Sequence, residues 1–120
     1  MTLQIQTFTA KSGVTAHPSV QVTVPAGYKI LGGGALDNWT GAGSLLTASY
    51  PLNDHTWFVA GKDHEISSPA SITAYAIALH DPNDEWDVTI KSEPSKRSVS
   101  AMTALRLREL RTPFSLRTRA

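Results

Sequence analysis

The sequence predicts an all-β fold, an antiparallel β-prism or β-sandwich, over most of its 120 residues. Short stretches alternate apolar and polar residues with a period of two, which is the pattern of strands that bury one face. Loops rich in Gly, Pro, Asn and Asp separate these stretches at short intervals, as in sandwiches and barrels. No alternation of strand and helix occurs before residue 95, which argues against a parallel sheet.

The first part of the chain supplies three predicted strands. One lies within residues 3–9, and the second, at residues 19–24, places three valines on one face and three polar residues on the other. A turn follows at residues 25–27, because proline presets its first corner and glycine accepts a positive φ. The next strand begins at Tyr28 and runs into a glycine triplet at residues 32–34.

Four more strands are predicted further along, at residues 45–50, 56–60, 71–79 and 86–90. In the strand at 71–79, small alanines alternate with Tyr75, Ile77 and Leu79, so that one face is flat. A flat face suits close packing of one sheet on another. Between the strands we expect loops, at residues 37–38, 41–43, 51–54 and 81–84.

The glycine triplet is not a phosphate-binding loop, because no helix follows it and neither the Walker nor the dinucleotide spacing is present. We expect a bulge or a strand without side chains, against which another backbone or an aromatic ring packs closely.

Residues 96–120, the basic C-terminal segment, differ from residues 1–95, which form the predicted recognition domain. The domain has a net charge of −5, and the segment carries seven Lys or Arg residues against Glu109 alone, giving +6. Residues 101–111 contain good helix formers, so the segment is uncertain in structure and could be helical up to Pro113.

The charge difference also bears on the partners of the chain, because an acidic domain repels phosphate. We therefore expect no nucleic acid partner. We expect the basic C-terminal segment to dock on its own domain or on a neighbouring protomer through its apolar side chains, Leu105, Leu107, Leu110 and Phe114.

Composition excludes several classes of protein. The chain has no cysteine, so it has no disulfide framework, thiolate metal site or cysteine nucleophile. No apolar run approaches the roughly 20 residues that cross a bilayer, and the first residues lack the pattern of a signal peptide. We expect a cytoplasmic protein, one exported by a route without a signal peptide, or a part of a longer parent.

Eight residues are candidate ligand-binding residues, because they place hydrogen-bonding groups beside indole rings. Glycan binding needs polar groups for the sugar hydroxyls and an aromatic ring for the apolar face of the sugar. The candidates are Asp37, Asn38, Trp39, Asp54, His55, Trp57, Asp63 and His64. The alternative is an Asx turn with Trp39 in the core, and Asp–His pairs that only form surface hydrogen bonds.

These residues do not predict catalysis. The two Asp–His pairs have no serine in a nucleophile-elbow context, and the H-x-x-x-H spacing of a zinc site is absent. The acidic loop at residues 81–87 offers oxygen ligands for Ca²⁺ but lacks the glycine and distal glutamate of an EF-hand, so we expect a solvated turn. We predict no catalytic residue, metal or cofactor.

Four patterns resemble a recurring module of bacterial exported proteins: V-x-V-P-A-G-Y-K-I-L-G-G-G-A from residue 22, L-L-T-A-S-Y-P from 45, W-F-V-A from 57 and I-T-A-Y-A-I-A-L from 72. Together they also resemble the β-prism or lectin-like modules that trail some bacterial membrane-attack/perforin proteins, over residues 18–92. The resemblance implies an all-β recognition module, with the targeting domain of a pore-forming protein as its nearest functional relative. This chain differs by having no pore-forming region and by its Arg-rich segment.

We therefore expect a lectin-like module without catalytic activity that binds a glycan or another cell-surface ligand, and that forms a homo-oligomer. Three alternatives stay open: a self-assembling structural subunit joined through the flat alanine-rich strand, the targeting domain of a pore-forming protein, and a small hydrolase. Membrane contact is allowed by the sequence but is not favoured.

Overall fold

The computed structural model describes residues 2–95 and 114–118, and this part of the chain contains strands and no helix. The strands are β1 (Ile5–Lys11), β2 (Ser19–Thr23), β3 (Tyr28–Asn38), β4 (Ser44–Asn53), β5 (Thr56–Asp63), β6 (Ser71–His80), β7 (Trp86–Ile90) and β8 (Phe114–Thr118). The predicted all-β fold is confirmed. The helix considered for residues 101–111 lies outside the described residues.

Two three-stranded antiparallel sheets pack face to face as a sandwich. The first sheet has the strand order β1-β6-β3 and the second has the order β2-β5-β4. Both sheets contribute to one core, which consists of Val22, Val24, Ile30, Trp57, Val59, Ile72, Ala74, Ala76 and Ala78. β7 and β8 form a separate antiparallel ribbon, so part of the basic C-terminal segment pairs with the domain's own chain.

The alanine-rich face of β6 lies between the two sheets. Ala74, Ala76 and Ala78 are completely buried there, which confirms the prediction of close sheet-on-sheet packing. Because the second sheet covers this face, it is not available for the contact between protomers that the sequence suggested.

β3 passes through the glycine triplet as a strand with a bulge, since its register with β6 shifts just before Gly32. A Cβ atom on Gly33 would lie 2.5 Å from the backbone oxygen of Tyr75 and closer still to the ring of Trp57. A Cβ atom on Gly32 or Gly34 would meet nothing within 4 Å. The predicted strand without side chains is therefore confirmed, and Gly33 is the position where a ring packs against it.

Two segments predicted as loops are strand ends instead. Asp37 and Asn38 end β3, where they pair with the first residues of β6, and residues 51–53 continue β4. Pro51 is tolerated because β4 lies at the edge of its sheet, where alternate N–H groups point away from the partner strand. Pairing with β6 therefore extends β3, and pairing with β5 extends β4, through residues that were predicted to be loops.

An ionic cluster fastens the β6–β7 loop to β3. The Lys29 ammonium donates to Asp81 at 2.8 Å, to Asp84, and to the backbone oxygen of Trp86 at 2.6 Å. Burial alone would raise the pKa of Asp81, but hydrogen bonds from Lys29 and from the backbone N–H groups of Glu85 and Trp86 outweigh it and lower the pKa to about 2. Where the sequence suggested Ca²⁺ ligands or a solvated turn, a lysine ammonium bridges the two aspartates.

Candidate functional site: the apolar loop end

Antiparallel pairing divides the connecting loops between two ends of the sandwich. Asn38 pairs with Ser71 at one end of the first sheet, and Tyr28 pairs with His80 at the other. The end at Asn38, which we call the loop end, carries the β1–β2, β3–β4 and β5–β6 loops, at residues 12–18, 39–43 and 64–70. The opposite end carries the β2–β3, β4–β5 and β6–β7 loops, at residues 24–27, 54–55 and 81–85.

The eight predicted binding residues therefore do not form one site. The loop end holds five of them, Asp37, Asn38, Trp39, Asp63 and His64. Asp54 and His55 lie at the opposite end, where the aspartate and the imidazole Nδ1 are 2.7 Å apart on the surface. The two Asp–His pairs considered for hydrolysis thus lie at different ends of the domain and cannot act on one small substrate.

The two candidate tryptophans have different environments. Trp57 is only 7% exposed, and its Nε1 donates to Ser49 Oγ at 3.1 Å, so its ring belongs to the core and presents no face to a ligand. Trp39 is 60% exposed in the β3–β4 loop. Beside it, Asn38 Nδ2 donates to Ser71 and Thr73, both at 3.2 Å, so hydrogen bonds to a ligand would use the amide oxygen of Asn38.

The two aspartates of the loop end direct their carboxylates into the protein. Both carboxylate oxygens of Asp37 and one of Asp63 are buried and have no hydrogen-bond partner among the described residues. Asp37 Oδ2 lies 3.1 Å from the place where a Cβ atom on Gly61 would be, so this carboxylate points from the first sheet to the second. Within residues 2–95, no group of three or more His, Asp and Glu side chains could hold a metal ion.

Each loop of the loop end presents one large apolar side chain. Val14 is 71% exposed, Ile66 is 64% exposed and Trp39 is 60% exposed, and these are the three most exposed large apolar side chains among residues 2–95. Their neighbours in sequence are small or polar: Gly13, Thr15, Asn38, Thr40, Glu65 and Ser67. We call Val14, Trp39 and Ile66 the apolar tips.

Hydrogen bonds join the three loops into one frame. Thr15 and Ala70 exchange two backbone hydrogen bonds at 3.1 Å, which connect the β1–β2 loop to the β5–β6 loop. The buried Ser68 Oγ donates to the backbone oxygen of Thr40 and accepts the N–H of Gly43 at 3.2 Å, which connects the β5–β6 loop to the β3–β4 loop. The apolar tips therefore stand on a common backbone framework.

The charges of the two ends differ. The exposed ionic side chains at the loop end are Lys11, Lys62 and Glu65. Lys11 and Lys62 lie on strand ends, so Glu65 is the one such side chain within the described loops of this end. The loops of the opposite end hold Asp54, Asp84 and Glu85, of which Asp84 is paired with Lys29. The loop end therefore carries fewer exposed acidic side chains in its loops and holds the apolar tips.

Sequence reasoning missed Val14, Ile66 and Ser68. A signal for the first two exists, since each is a single large aliphatic residue within a loop of Ser, Gly, Thr or Glu, where a polar residue is the usual choice. The role of Ser68 depends on contacts with residues 25 or more positions away and has no local signal.

In comparisons with protein families, curated proteins and solved structures, nothing matches this chain. None of the residues that the structure describes lies in a helix long and apolar enough to cross a membrane. The function must therefore be argued from the geometry of the loop end.

Proposed function

We propose that this protein is a recognition module without catalytic activity, which binds cell-surface glycans through its loop end. The observation that carries the proposal is the exposed indole of Trp39, which stands on a loop held in place by Ser68. An aromatic face that is ordered before binding can stack on the apolar side of a sugar ring at a small entropic cost.

Polar groups beside Trp39 support this role. The amide of Asn38 is oriented by its hydrogen bonds to Ser71 and Thr73, so its oxygen has a fixed direction from which to accept a sugar hydroxyl. Binding residues on loops above a rigid sheet are common in β-sandwiches. The buried oxygens of Asp37 and Asp63 do not face the surface, so the proposed glycan contacts do not include them.

A self-assembling subunit is the second candidate. It is favoured by Ile5, Leu36 and Ile77, which are exposed on the first sheet. On the face of that sheet turned away from the core, Gly32 and Gly34 add no side chains. A second copy packed on this face would double the mass in sedimentation equilibrium, and Ile77→Ser would return the protein to a monomer.

A glycan array tests the proposed function directly, with the full chain, Trp39→Ala and the matched control Tyr50→Ala. Tyr50 is also a well-exposed aromatic residue, but it lies on β4 away from the loops. We expect Trp39→Ala to weaken glycan binding about tenfold or more and Tyr50→Ala to leave it unchanged, with and without Ca²⁺. Absence of any bound glycan, or equal losses in both variants, would refute the proposal.

A further inference from the structure

We infer that Val14 and Ile66, two of the three apolar tips, insert into the interfacial region of a lipid bilayer, so that the loop end contacts the membrane while Trp39 remains available to glycans. The inference rests on the proposed function, because both require this end to face the cell surface. The observation that supports it is the exposure of Val14 and Ile66, because these aliphatic side chains have no role in glycan binding.

A sugar does not explain these two residues. One sugar ring presents an apolar face to one aromatic platform, and Trp39 alone would supply it. Val14 and Ile66 lie in the other two loops of the loop end and carry no hydrogen-bonding group. They are nevertheless more exposed to water than any other large apolar side chain among residues 2–95.

A folded protein partner does not explain them well either. Protein interfaces bury a contiguous apolar core surrounded by a polar rim, whereas Val14 and Ile66 are single aliphatic residues, each flanked in its own loop by small or polar residues. Single apolar side chains that project from separate loops suit a lipid bilayer, because fluid lipid can surround each side chain.

The common frame favours simultaneous insertion. The pairing of Thr15 with Ala70 orders the two loops that carry Val14 and Ile66 before binding, so little further entropy is lost when both side chains enter the interface. The exposed Lys11 and Lys62 at this end also suit phosphate headgroups.

Vesicles of phosphatidylcholine alone provide the test, because the basic C-terminal segment would bind anionic vesicles whatever the tips do. We expect the full chain to sediment with these vesicles, and Val14→Ser or Ile66→Ser each to lower the partition coefficient about tenfold. The matched control is Ile5→Ser: Ile5 is 55% exposed and begins β1, where it pairs with Leu79 near the opposite end. We expect this variant to bind within about twofold of the parent.

Circular dichroism and thermal unfolding of each variant show whether it is folded, and the exposed positions of all three residues predict that it is. The inference is overturned if the parent fails to bind phosphatidylcholine vesicles, or if Ile5→Ser loses as much binding as Ile66→Ser. It is also overturned if binding requires phosphatidylserine and survives Val14→Ser and Ile66→Ser, because charge alone would then account for it.

The glycan array separates this inference from the proposed function. If glycans bind and vesicles do not, the membrane inference alone fails. If vesicles bind through the tips and no glycan binds, the glycan proposal alone fails. We expect Ile66→Ser to keep glycan binding while losing vesicle binding.

Discussion

The ring of Trp57 packs on the backbone of Gly33, in the space that a side chain at Gly33 would occupy. Trp57 belongs to the second sheet and Gly33 to the first, so this contact brings the two sheets together. The hydrogen bond from Trp57 Nε1 to Ser49 fixes the ring from the other side. Trp57, which the sequence predicted to bind a ligand, is therefore a core residue, and its ring explains why residue 33 is a glycine.

Gly33→Ala should lower the free energy of unfolding by about 2 kcal/mol, because the added methyl group overlaps the Trp57 ring and the backbone of Tyr75. Gly34→Ala is the matched control and should change it by less than about 0.5 kcal/mol, since a Cβ atom there meets nothing. Urea unfolding of the two variants measures the difference. Equal losses would mean that the triplet is needed for strand flexibility and not for the contact with Trp57.

Stability should fall in acid through Asp81. Its folded pKa of about 2 lies below the ordinary value of 3.8, so the Asp81 carboxylate stabilises the fold above about pH 4 and loses this contribution as the pH falls towards 2. The loss amounts to about 2 kcal/mol. Urea unfolding between pH 7 and pH 2 should show this loss in the parent and a smaller one in Asp81→Asn. An identical pH profile for the two proteins would contradict the assignment to Asp81.

Asp37→Asn should raise the free energy of unfolding by about 1 kcal/mol, because burial of a carboxylate without hydrogen-bond donors costs more than burial of a neutral amide. Asp54→Asn, at an exposed turn, is the control and should change stability little. Thermal unfolding at neutral pH compares them. Destabilisation by Asp37→Asn would contradict this expectation.

The exposure of Trp39 predicts its fluorescence behaviour. Iodide should quench a large part of the parent's tryptophan emission, and Trp39→Phe should remove most of that quenchable fraction. Trp57→Phe should leave the quenchable fraction in place, because iodide does not reach a buried ring. If Trp57→Phe removes the quenchable signal, the assignment of Trp57 to the core is wrong.

The period-two pattern predicted the strands, but it could not predict which way the second half of β3 faces. The register shift before Gly32 inserts an extra residue into β3, and this exchanges the two faces of the strand beyond it. Asp37 is therefore directed into the protein and Leu36 is exposed, the reverse of what continued alternation from the buried Ile30 would give.

The candidate site was only partly predictable for a related reason. Loop composition identified both Trp39 and Trp57 as binding residues, yet the inward face of β5 takes Trp57 into the core. Sequence also grouped the turn at Asp54 with the loop at Trp39, because it does not tell at which end of a sandwich a turn lies. That assignment requires the strand pairing.

We propose that the loop end, and not the opposite end, meets the cell surface. Because the chain has no cysteine, Ser67→Cys and Asn83→Cys each give a unique labelling site, one at either end of the domain. Each variant is labelled with an environment-sensitive fluorophore and mixed with phosphatidylcholine vesicles and with washed cells. We expect a blue-shifted, brighter emission from the label at position 67 and no change at position 83. A response at position 83 with none at position 67 would contradict this proposal.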